Sequence, residues 1–313
     1  MANILVLGGS GFVSEALSKY LIRRGYSIDI LTRGKKKISF DGYENHILCD
    51  RHDKAAMKEA LKDKKYSYVF DISGYTKNDI EILFNALVDL KSLEKYVFCS
   101  SASVYGDHHD LVTEESPVDR NSIWGDYSLN KIECEEFIMA KVKEGDLKAT
   151  IFRPTYIYGE GNTLKRESYF FDKIINDEVI QIPDEDTKVQ FIHIEDLVKN
   201  FECAMYNKFD GRIYNLTHPV RYTFEELVMA CAEAVGKDAI INKVPREEIE
   251  FFPFRKFNFN VSIMDMRENG FHSPMVTLNE GLNFAYNCST FFNYELWIKN
   301  DELRRSYFTH KDL

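Results

Sequence analysis

The sequence has few of the features that mark membrane or secreted proteins. Across its 313 residues, no apolar run approaches the ~18 residues that a membrane-spanning helix needs. The opening segment, MANILVLGGSGF, has no basic region ahead of a short apolar stretch that runs into glycines, so it predicts a buried strand and not a signal peptide. The six cysteines are widely scattered and include no C-x-x-C pair. We therefore expect free thiols in a reducing, cytoplasmic compartment and no association with a membrane.

Positive charge is also scarce. The sequence contains 40 Lys and Arg against 50 Asp and Glu, a formal net charge of −10, and its only basic run is Lys35 to Lys37. A nucleic-acid-binding protein normally carries a basic face for the phosphates. The charge balance therefore disfavours nucleic acid as a partner without excluding it.

Short apolar runs alternate with helical patterns through the first two thirds of the chain. The runs are rich in Ile, Val, Leu, Phe and Tyr and comprise NILVL, SIDILT, HILC, YVFDI, KYVFCSS and KATIFRP. Segments of helical period lie between most of them, at residues 12–24, 53–64, 77–90 and 127–144. Strands that are apolar on both faces and alternate with helices predict an α/β fold with a doubly wound parallel sheet of the Rossmann type.

After about residue 160 the pattern changes. RESYFFDKIINDE predicts a helix, VQFIHIEDLVKNFECAM a strand that runs into a helix, and GRIYNLT a strand. TFEELVMACAEAVG predicts a helix with Thr223 as N-cap, Glu226 closing a capping box and Gly236 at the end. We expect residues 1–160 and 188–217 to form a dinucleotide-binding domain. Residues 161–187 and 218–313 are expected to form a smaller substrate-binding lobe that contributes to a cleft over the carboxyl ends of the sheet.

A glycine-rich turn follows the first predicted strand and opens the first helix. In GGSGFVS, Gly9 and Gly11 match the first two glycines of G-x-G-x-x-G, which let backbone amides approach a pyrophosphate, while Ser14 replaces the third. An ordinary strand-to-helix turn is the alternative, but the position at the start of the chain favours a dinucleotide site. The expected cofactor contacts are Gly8, Gly9, Ser10, Gly11, Phe12 and Val13.

The end of the second predicted strand bears on the choice between NAD and NADP. An NAD site places an acid there for the ribose hydroxyls, but this chain has Thr32 and Arg33, followed after a glycine by three lysines. An arginine at this position can accommodate a 2′-phosphate. The sequence therefore favours NADP slightly over NAD, with a solvated basic loop as the alternative.

Tyr127 and Lys131 stand four residues apart on a predicted helix, so their side chains share one face. This spacing alone is common by chance. Together with GGSGFVS, SSASVYG, RPTYIYGEGN, FIHIEDLV and YNLT, over about residues 3–236, it makes the chain resemble extended short-chain dehydrogenase/reductases of the NAD-dependent epimerase/dehydratase family. Within that family, LTRG, CDRHD and DISGY look most like a branch that includes the chloroplast stem-loop-binding proteins.

The resemblance implies a catalytic set and further contacts to the cofactor. Ser101 matches the family's catalytic serine, and Tyr127 with Lys131 matches its Y-x-x-x-K pair, in which the tyrosine exchanges a proton and the lysine favours the phenolate. The cofactor contacts expected besides the glycine turn, Thr32, Arg33 and this pair are Asp50, Arg51, Ser73, Gly74, Ser100 and Pro154. Family members commonly dimerise through the helices that match residues 77–90 and 127–144 here, so we expect a homodimer.

Two departures from the family pattern bear on the substrate. Sugar 4,6-dehydratases carry an Asp-Glu pair directly after the catalytic serine or threonine, where this chain has Ala102 and Ser103. UDP-sugar epimerases carry an arginine for the diphosphate where Val189 stands, between Lys188 and Gln190, and this difference disfavours a UDP-sugar as the substrate. The resemblance implies a nicotinamide-dependent epimerase or reductase that acts on a hydroxyl or keto carbon of a small sugar or nucleotide-sugar-like substrate. The expected substrate contacts are Ser103, Tyr156, Arg166 and Gln190.

Other candidate sites and functions carry less support. The run DHHD, residues 107–110, could suggest a metal site, but it follows VYG in a predicted surface loop, so we expect a solvated turn and no metal. His193 lies in a predicted strand and is expected to be a hydrogen-bonded structural residue. Two further functions are compatible with the same fold, namely RNA binding, as the stem-loop-binding branch suggests, and cofactor sensing without turnover.

Overall fold

The computed structural model describes residues 3–290 and has an α/β architecture. Its strands are β1 (Asn3–Leu7), β2 (Ser27–Thr32), β3 (Asn45–Leu48), β4 (Tyr68–Asp71), β5 (Lys95–Cys99), β6 (Ala149–Pro154), β7 (Tyr156–Tyr158), β8 (Val179–Pro183), β9 (Lys188–His193), β10 (Arg212–Leu216), β11 (Arg221–Thr223) and β12 (Ile240–Val244). Its helices are α1 (Phe12–Arg23), α2 (Lys54–Leu61), α3 (Lys77–Ala86), α4 (Asp126–Lys143), α5 (Glu167–Ile175), α6 (Ile194–Tyr206), α7 (Phe224–Val235), α8 (Met264–Glu268) and α9 (Leu278–Thr290). Within this part of the chain, no helix combines the length and the apolar composition that crossing a membrane requires.

A seven-stranded sheet of order β10-β6-β5-β4-β1-β2-β3 forms the centre of the fold. All of its pairings are parallel. The strand order reverses direction between β1 and β4, so the carboxyl ends of these two strands flank the crevice at which doubly wound sheets bind ligands. The predicted doubly wound parallel sheet is confirmed.

Both faces of the central sheet are buried. Ile4 and Val6 of β1 belong to one apolar cluster, which also contains residues of α1 and α6. Leu5 and Leu7 belong to a second cluster, which contains residues of α2, α3 and α4. Because successive side chains of a strand point to opposite faces, burial of both faces produces the continuous apolar runs seen in the sequence.

Helix boundaries follow the capping residues. The Thr223 side chain accepts a hydrogen bond from the Glu226 amide, Glu226 completes the capping box, and Gly236 ends α7 with a φ of 75°, so the predicted capped helix is confirmed. In contrast, α3 ends at Ala86, before the predicted boundary at residue 90. The reason is local, because Asp89 caps a separate 3-10 turn that follows the helix.

The chain divides into two compact units. The first comprises the chain up to Ile157, Thr187–Tyr222 and Lys256–Val276, and the second comprises Tyr158–Asp186, Thr223–Arg255 and the chain from Thr277. Residues 256–276, which the sequence pattern assigns to the substrate lobe, thus belong to the unit that contains the central sheet. Backbone hydrogen bonds to distant loops hold them there, including Ser262 N to Val112 O at 2.8 Å. The role of the second unit in substrate binding stays a prediction.

The second unit contains a short sheet that the sequence does not reveal. β8 and β12 pair in parallel, with Ile240 opposite Val179 and Val244 opposite Pro183. The residues of β12 are exposed or only partly buried. A strand of this kind has neither a continuous apolar run nor a clear alternation, so its conformation depends on the partner strand.

Candidate active site

The turn between β1 and α1 requires glycine at two positions. Gly8 and Gly9 have φ angles of 116° and 138°, which residues with a side chain rarely adopt. A Cβ atom at Gly8 would lie 2.6 Å from Cβ of Ser14, and one at Gly9 would lie 2.5 Å from Cγ2 of Ile30. Gly11 is the N-cap of α1 and makes no side-chain cap bond. The first amides of α1 have no partner within the helix, an arrangement that binds phosphate groups.

Ser14, which replaces the third glycine of the motif, braces this turn. Its buried hydroxyl accepts a hydrogen bond from the Gly9 amide at 2.7 Å and donates one to the Gly11 carbonyl at 3.2 Å. In the sequence this serine is only a departure from the motif. In the structure it fixes the turn that the glycines make sterically accessible.

The end of β2 presents a positive charge. Thr32 is buried, and its hydroxyl lies 2.7 Å from Nε2 of His46. Arg33 follows it and is exposed. Asp29 lies inside the strand and accepts hydrogen bonds from Asn45, Lys64 and Tyr66. Arg33 is therefore the charged side chain at the position where an NAD-specific site would have an acid.

Asp50 and Arg51, both predicted to lie near the adenine, have different environments. Asp50 is exposed, and a hydrogen bond from the backbone amide of His52 lowers the pKa of its carboxyl group. Arg51 is buried, and its guanidinium binds the two carboxylate oxygens of Asp71 at 2.7 and 2.8 Å. It also donates to Oγ of Ser73 at 3.0 Å. The Arg51 side chain thus braces the loop after β4, while Asp50 is the exposed member of the predicted pair.

Asp71, at the end of β4, is a buried acid that the sequence reading did not single out. Burial alone would raise the pKa of its carboxyl group, but the charge of Arg51 and hydrogen bonds from Arg51 and Tyr96 hold the pKa below its ordinary value. Each charge of the pair depends on the other, because water does not reach Asp71. The available signal in the sequence was an acid at the end of the apolar run YVFD.

Lys131 is fixed at the carboxyl ends of β4 and β5. It is 2% exposed, and its ammonium donates hydrogen bonds to the Gly74 carbonyl at 2.8 Å and the Cys99 carbonyl at 2.7 Å. The ammonium also lies 4.6 Å from the centre of the Phe98 ring. Since an ammonium has three donors, these two carbonyls leave it capacity for one further acceptor.

Tyr127 lies one helical turn before Lys131, near the start of α4. Its side chain is 38% exposed. The centre of its ring lies 6.4 Å from that of Tyr75 and 6.3 Å from that of Trp124. The helix therefore presents an accessible phenol one turn from a buried ammonium, on the face that the sequence spacing predicts.

The serine cluster after β5 contains one accessible member and two buried ones. Ser101 is partly exposed and caps a 3-10 turn, with its Oγ accepting a hydrogen bond from the Ser103 amide at 3.2 Å. Ser100 is buried, and its hydroxyl donates to Glu135. Ser103 is buried as well. Burial thus distinguishes Ser101, the predicted catalytic serine, from its neighbours.

A buried ion pair lies next to these residues. Glu135, one turn after Lys131, accepts hydrogen bonds from Nε of Arg153 at 3.0 and 3.2 Å, and the two side chains are 4% and 5% exposed. Arg153 also donates to the Tyr105 hydroxyl at 2.7 Å, which donates to Oδ1 of Asn215 at 2.6 Å. These bonds connect α4, β6, β10 and the 3-10 turn that Ser101 caps. The sequence signal was an arginine within the apolar run IFRP, which requires a buried partner.

The remaining predicted site residues occupy different parts of the chain. Pro154 ends β6, and Tyr156 in β7 is buried. Gln190 is also buried, and its Oε1 accepts a hydrogen bond from the Val261 amide at 2.7 Å. Arg166 belongs to the second unit, where it is the N-cap residue of α5. In the structure, Gln190 therefore has a backbone-bracing role in the first unit.

Two of the histidines considered as ligands, His193 and His108, have structural partners. His193 is buried and caps α6 through its Nδ1, and burial lowers its pKa to about 4. In the run 107–110, Asp107 accepts a hydrogen bond from the Asn258 amide at 2.6 Å, and Nε2 of His108 lies 2.7 Å from the Tyr105 carbonyl oxygen. Among residues 3–290, no group of three or more His, Cys, Asp or Glu side chains is arranged to hold a metal ion.

These features define a class of protein. A glycine turn that opens a helix at the switch point of a doubly wound parallel sheet is the architecture of a dinucleotide-binding enzyme. Residues 4–217 match the model of the NAD dependent epimerase/dehydratase family. The chain belongs to this family of nicotinamide-dependent enzymes, as its motifs predict.

Individual relatives agree with this assignment. The chain is 30% identical over 307 residues to the chloroplast stem-loop binding protein of 41 kDa b of Arabidopsis thaliana, and the match covers 91% of this chain and 78% of that protein. It is 25% identical over 316 residues to the dTDP-4-dehydro-6-deoxyglucose reductase of Escherichia coli, and the match covers 90% of this chain and 95% of that protein. The UDP-glucose 4-epimerase of Thermotoga maritima, solved with UDP-glucose, is similar in structure, with a TM-score of 0.77 and 20% identity over 91% of this chain and 97% of that one. At this identity the structural similarity concerns the fold alone.

Proposed function

We propose that the protein is a nicotinamide-dependent epimerase or reductase that acts on a hydroxyl or keto carbon of a sugar or nucleotide-sugar-like substrate. The observation that carries this proposal is the accessible phenol of Tyr127 one turn from the buried ammonium of Lys131. Ser101 adds a partly exposed hydroxyl at the end of the neighbouring strand β5. The sequence similarity to a reductase of a nucleotide-linked deoxysugar supports the substrate class.

Tyr127 is the group proposed to exchange a proton with the substrate oxygen. A nearby ammonium favours the phenolate form through charge attraction, and the carbonyls of Gly74 and Cys99 hold the Lys131 ammonium in place. Ser101 donates a hydrogen bond to the same substrate oxygen and orients it. When bound, the nicotinamide cofactor accepts or returns a hydride at the substrate carbon. The protein's part is therefore to position the oxygen and move its proton.

The residues around the crevice fit a dinucleotide cofactor. Gly8 and Gly9 let the turn pack closely against Ser14 and Ile30, and the first amides of α1, which have no partner within the helix, suit a pyrophosphate. Asp50 is exposed for the adenine side, and Lys131 has a remaining donor for the nicotinamide ribose. Pro154 is proposed to contact the nicotinamide end.

Arg33 supports a preference for NADP over NAD within this proposal. Its guanidinium is exposed at the end of β2, where it can pair with a 2′-phosphate. The run Lys35 to Lys37 is also exposed and adds positive potential. Asp29 cannot take the role of the ribose-binding acid, because its carboxylate already accepts hydrogen bonds from Asn45, Lys64 and Tyr66.

The site favours epimerisation or reduction over 4,6-dehydration. Elimination of a hydroxyl requires a general acid for the leaving group. Ala102 and Ser103 occupy the positions where dehydratases of the family carry acids, and both side chains are buried. The hydride and proton exchange at one carbon needs only the tyrosine and the cofactor.

The two other functions on this fold receive less support. RNA binding agrees with the similarity to the stem-loop-binding protein, but a net charge of −10 disfavours it. Cofactor sensing without turnover leaves the combination of Ser101, Tyr127 and Lys131 unexplained. Structured RNA in a gel-shift titration over increasing salt tests the first of these directly.

A homodimer in the cytoplasm completes the proposed function. The dimer would form through α3 and α4, the helices that match the dimerisation helices of the family. The cytoplasmic location agrees with the cysteines, all six of which are free thiols. Light scattering on the purified protein measures the oligomeric state, and a monomeric mass at micromolar concentration would remove the dimer from the proposal.

Replacement of Tyr127 by phenylalanine tests the catalytic assignment. The variant keeps the ring and loses the reacting oxygen, so turnover should disappear while the affinity for NADPH stays within about twofold of the wild type. The assay uses a panel of nucleotide sugars, free sugars and keto compounds; cofactor absorbance detects net oxidation or reduction, and chromatography of the products detects epimerisation, which leaves the cofactor unchanged overall. Tyr75→Phe is the matched control, because its ring lies 5.2 Å from the Lys131 ammonium. Wild-type turnover in Tyr127→Phe, or loss of turnover only in Tyr75→Phe, would show that the assignment is wrong.

A further inference from the structure

A tryptophan stands beside the proposed catalytic phenol. Trp124 precedes Gly125, the N-cap of α4, and lies three residues before Tyr127 in the chain. The two ring centres are 6.3 Å apart, and the ring planes are inclined at 52°. Trp124 is partly exposed, and Tyr127 is exposed.

The Trp124 ring is packed against buried aromatic side chains of the first unit. Phe257 contacts it edge to face at 5.5 Å, and Tyr156 lies at 6.1 Å. Phe257 and Tyr156 are themselves buried, and Phe259 packs against both of them at 4.9 and 5.1 Å. The ring is therefore held in one position and does not have to be ordered when a ligand binds.

The backbone turn at this point does not require a tryptophan. Gly125 has a φ of 55°, and its amide donates to the Ser122 carbonyl at 2.8 Å. The Ser122 hydroxyl accepts from the Trp124 amide at 3.4 Å. Ser122 and Gly125 thus shape the turn, and the Trp124 side chain packs against Phe257 and Tyr156 while part of its ring lies next to Tyr127.

We infer that Trp124 is a substrate-binding residue, which stacks against the C–H face of a pyranose ring while a hydroxyl of that ring meets Tyr127. One face of such a ring carries several C–H groups whose hydrogens are slightly positive. They are attracted to the negative face of an indole, while the hydroxyls project from the rim. This inference rests on the proposed function and names the substrate class more closely, as a cyclic sugar and not an open-chain keto compound.

Two substitutions separate the ring from its volume. Trp124→Leu removes the aromatic surface and keeps an apolar side chain, whereas Trp124→Phe keeps an aromatic ring. With the sugar that the panel shows to be turned over best, Trp124→Leu should raise KM roughly tenfold, and Trp124→Phe should stay within about threefold. The value of kcat and the affinity for NADPH should change less than about threefold in both, because neither variant removes a reacting group or a proposed cofactor contact.

Fluorescence provides a readout that does not depend on turnover. The chain has two tryptophans, so Trp297→Phe leaves Trp124 as the single tryptophan. NADPH absorbs in the range of tryptophan emission and should quench Trp124 on binding. UDP-glucose, UDP-galactose, dTDP-glucose and the cyclic sugar that the panel shows to be turned over best are then added separately to the NADPH-loaded protein. The sugar that is turned over should change the emission further, while acyclic keto compounds should not.

Each outcome decides between the inference and the function on which it rests. Quenching by NADPH with no further response to a cyclic sugar that the protein turns over, or an unchanged KM in Trp124→Leu, would overturn the stacking role and leave the proposed function intact. Absence of quenching by NADPH together with absence of turnover would contradict the proposed function itself. Equal losses in Trp124→Leu and Trp124→Phe would also overturn the inference, because they would indicate a requirement for the whole indole in packing.

Discussion

Glu135→Ala should lower the free energy of unfolding far more than the helix propensities of glutamate and alanine suggest. Alanine is at least as good a helix former as glutamate, so the change has no intrinsic cost within α4. The loss comes from Arg153, whose guanidinium would stay buried without its carboxylate partner. Ser100 would also lose the acceptor of its hydroxyl.

The size of the effect follows from burial. The side chains of Glu135 and Arg153 are 4% and 5% exposed, and removal of one member of such a pair typically costs about 3–5 kcal/mol. Burial alone would lower the pKa of Arg153, and the charge of Glu135 is the main factor that keeps it above its ordinary value. A loss of this size is a large part of the roughly 5–15 kcal/mol by which domains are stable.

A double variant shows whether the buried charge is the cause. Glu135→Met combined with Arg153→Met replaces the pair with apolar side chains of similar length. Because apolar replacement of a buried pair is often neutral or stabilising, the double variant should recover most of the stability lost in Glu135→Ala. Glu135→Met alone restores the packing volume but leaves the Arg153 charge unpaired, so it should stay destabilised, and recovery only in the double variant identifies the buried charge as the cause.

Urea unfolding followed by circular dichroism measures the free energy of unfolding. Glu136→Ala is the matched control, because Glu136 is the next residue of the same helix and its ion pair with Arg120 is half exposed, at 56% and 48%. This control should unfold at nearly the wild-type urea concentration. If Glu135→Ala unfolds at the same concentration as Glu136→Ala, the reasoning about the buried pair is refuted.

Three further changes test the cofactor loop and a buried histidine. In calorimetric titration, the wild type should bind NADPH roughly ten- to hundredfold more tightly than NADH, and this preference should shrink as salt is raised. Arg33→Ala should remove most of the preference. Tighter binding of NADH by the wild type would contradict the assignment. Ser14→Ala leaves the Gly9 amide without its acceptor and should cost about 1–3 kcal/mol of unfolding free energy in a urea titration, whereas an unchanged midpoint would show that the hydroxyl does not brace the turn. The pKa of His193 is lowered to about 4 in the native protein. As pH falls from about 6.5 toward 4, the unfolded chain therefore binds a proton at this histidine that the native protein does not bind. The free energy of unfolding should fall in that window by about 3 kcal/mol. His193→Asn keeps an acceptor for the cap of α6 and should flatten this part of the stability profile, and an equally steep profile in the variant would assign the effect to other groups.

Local sequence patterns sufficed to predict the architecture. Apolar runs on both faces, such as NILVL and YVFDI, indicate strands with helices on each side, and the parallel sheet follows from that alternation. The cap of α7 was equally readable, because Thr223, Glu226 and Gly236 act within a few residues of one another. The spacing of Tyr127 and Lys131 predicts a shared helix face, which depends only on the helical period.

The sequence also indicated the glycine turn but not how it is held. Positive φ angles at Gly8 and Gly9 are a local requirement, which a glycine motif reports directly. The hydrogen bond from the Gly9 amide to the Ser14 hydroxyl depends on where the Ser14 side chain lies once the turn has formed, and a sequence motif does not specify this position. A motif that expects glycine at position 14 cannot report what a serine does there.

Partners that are distant in the chain were decided by the tertiary structure alone. Arg51 binds Asp71, 20 residues away, and Glu135 binds Arg153, 18 residues away, after the strands and helices have packed. The return of residues 256–276 to the first unit depends on hydrogen bonds to loops far earlier in the chain. Hydrophobic period and local caps describe short-range preferences, whereas the choice of partner for a buried charge follows from which groups are brought together where water is excluded.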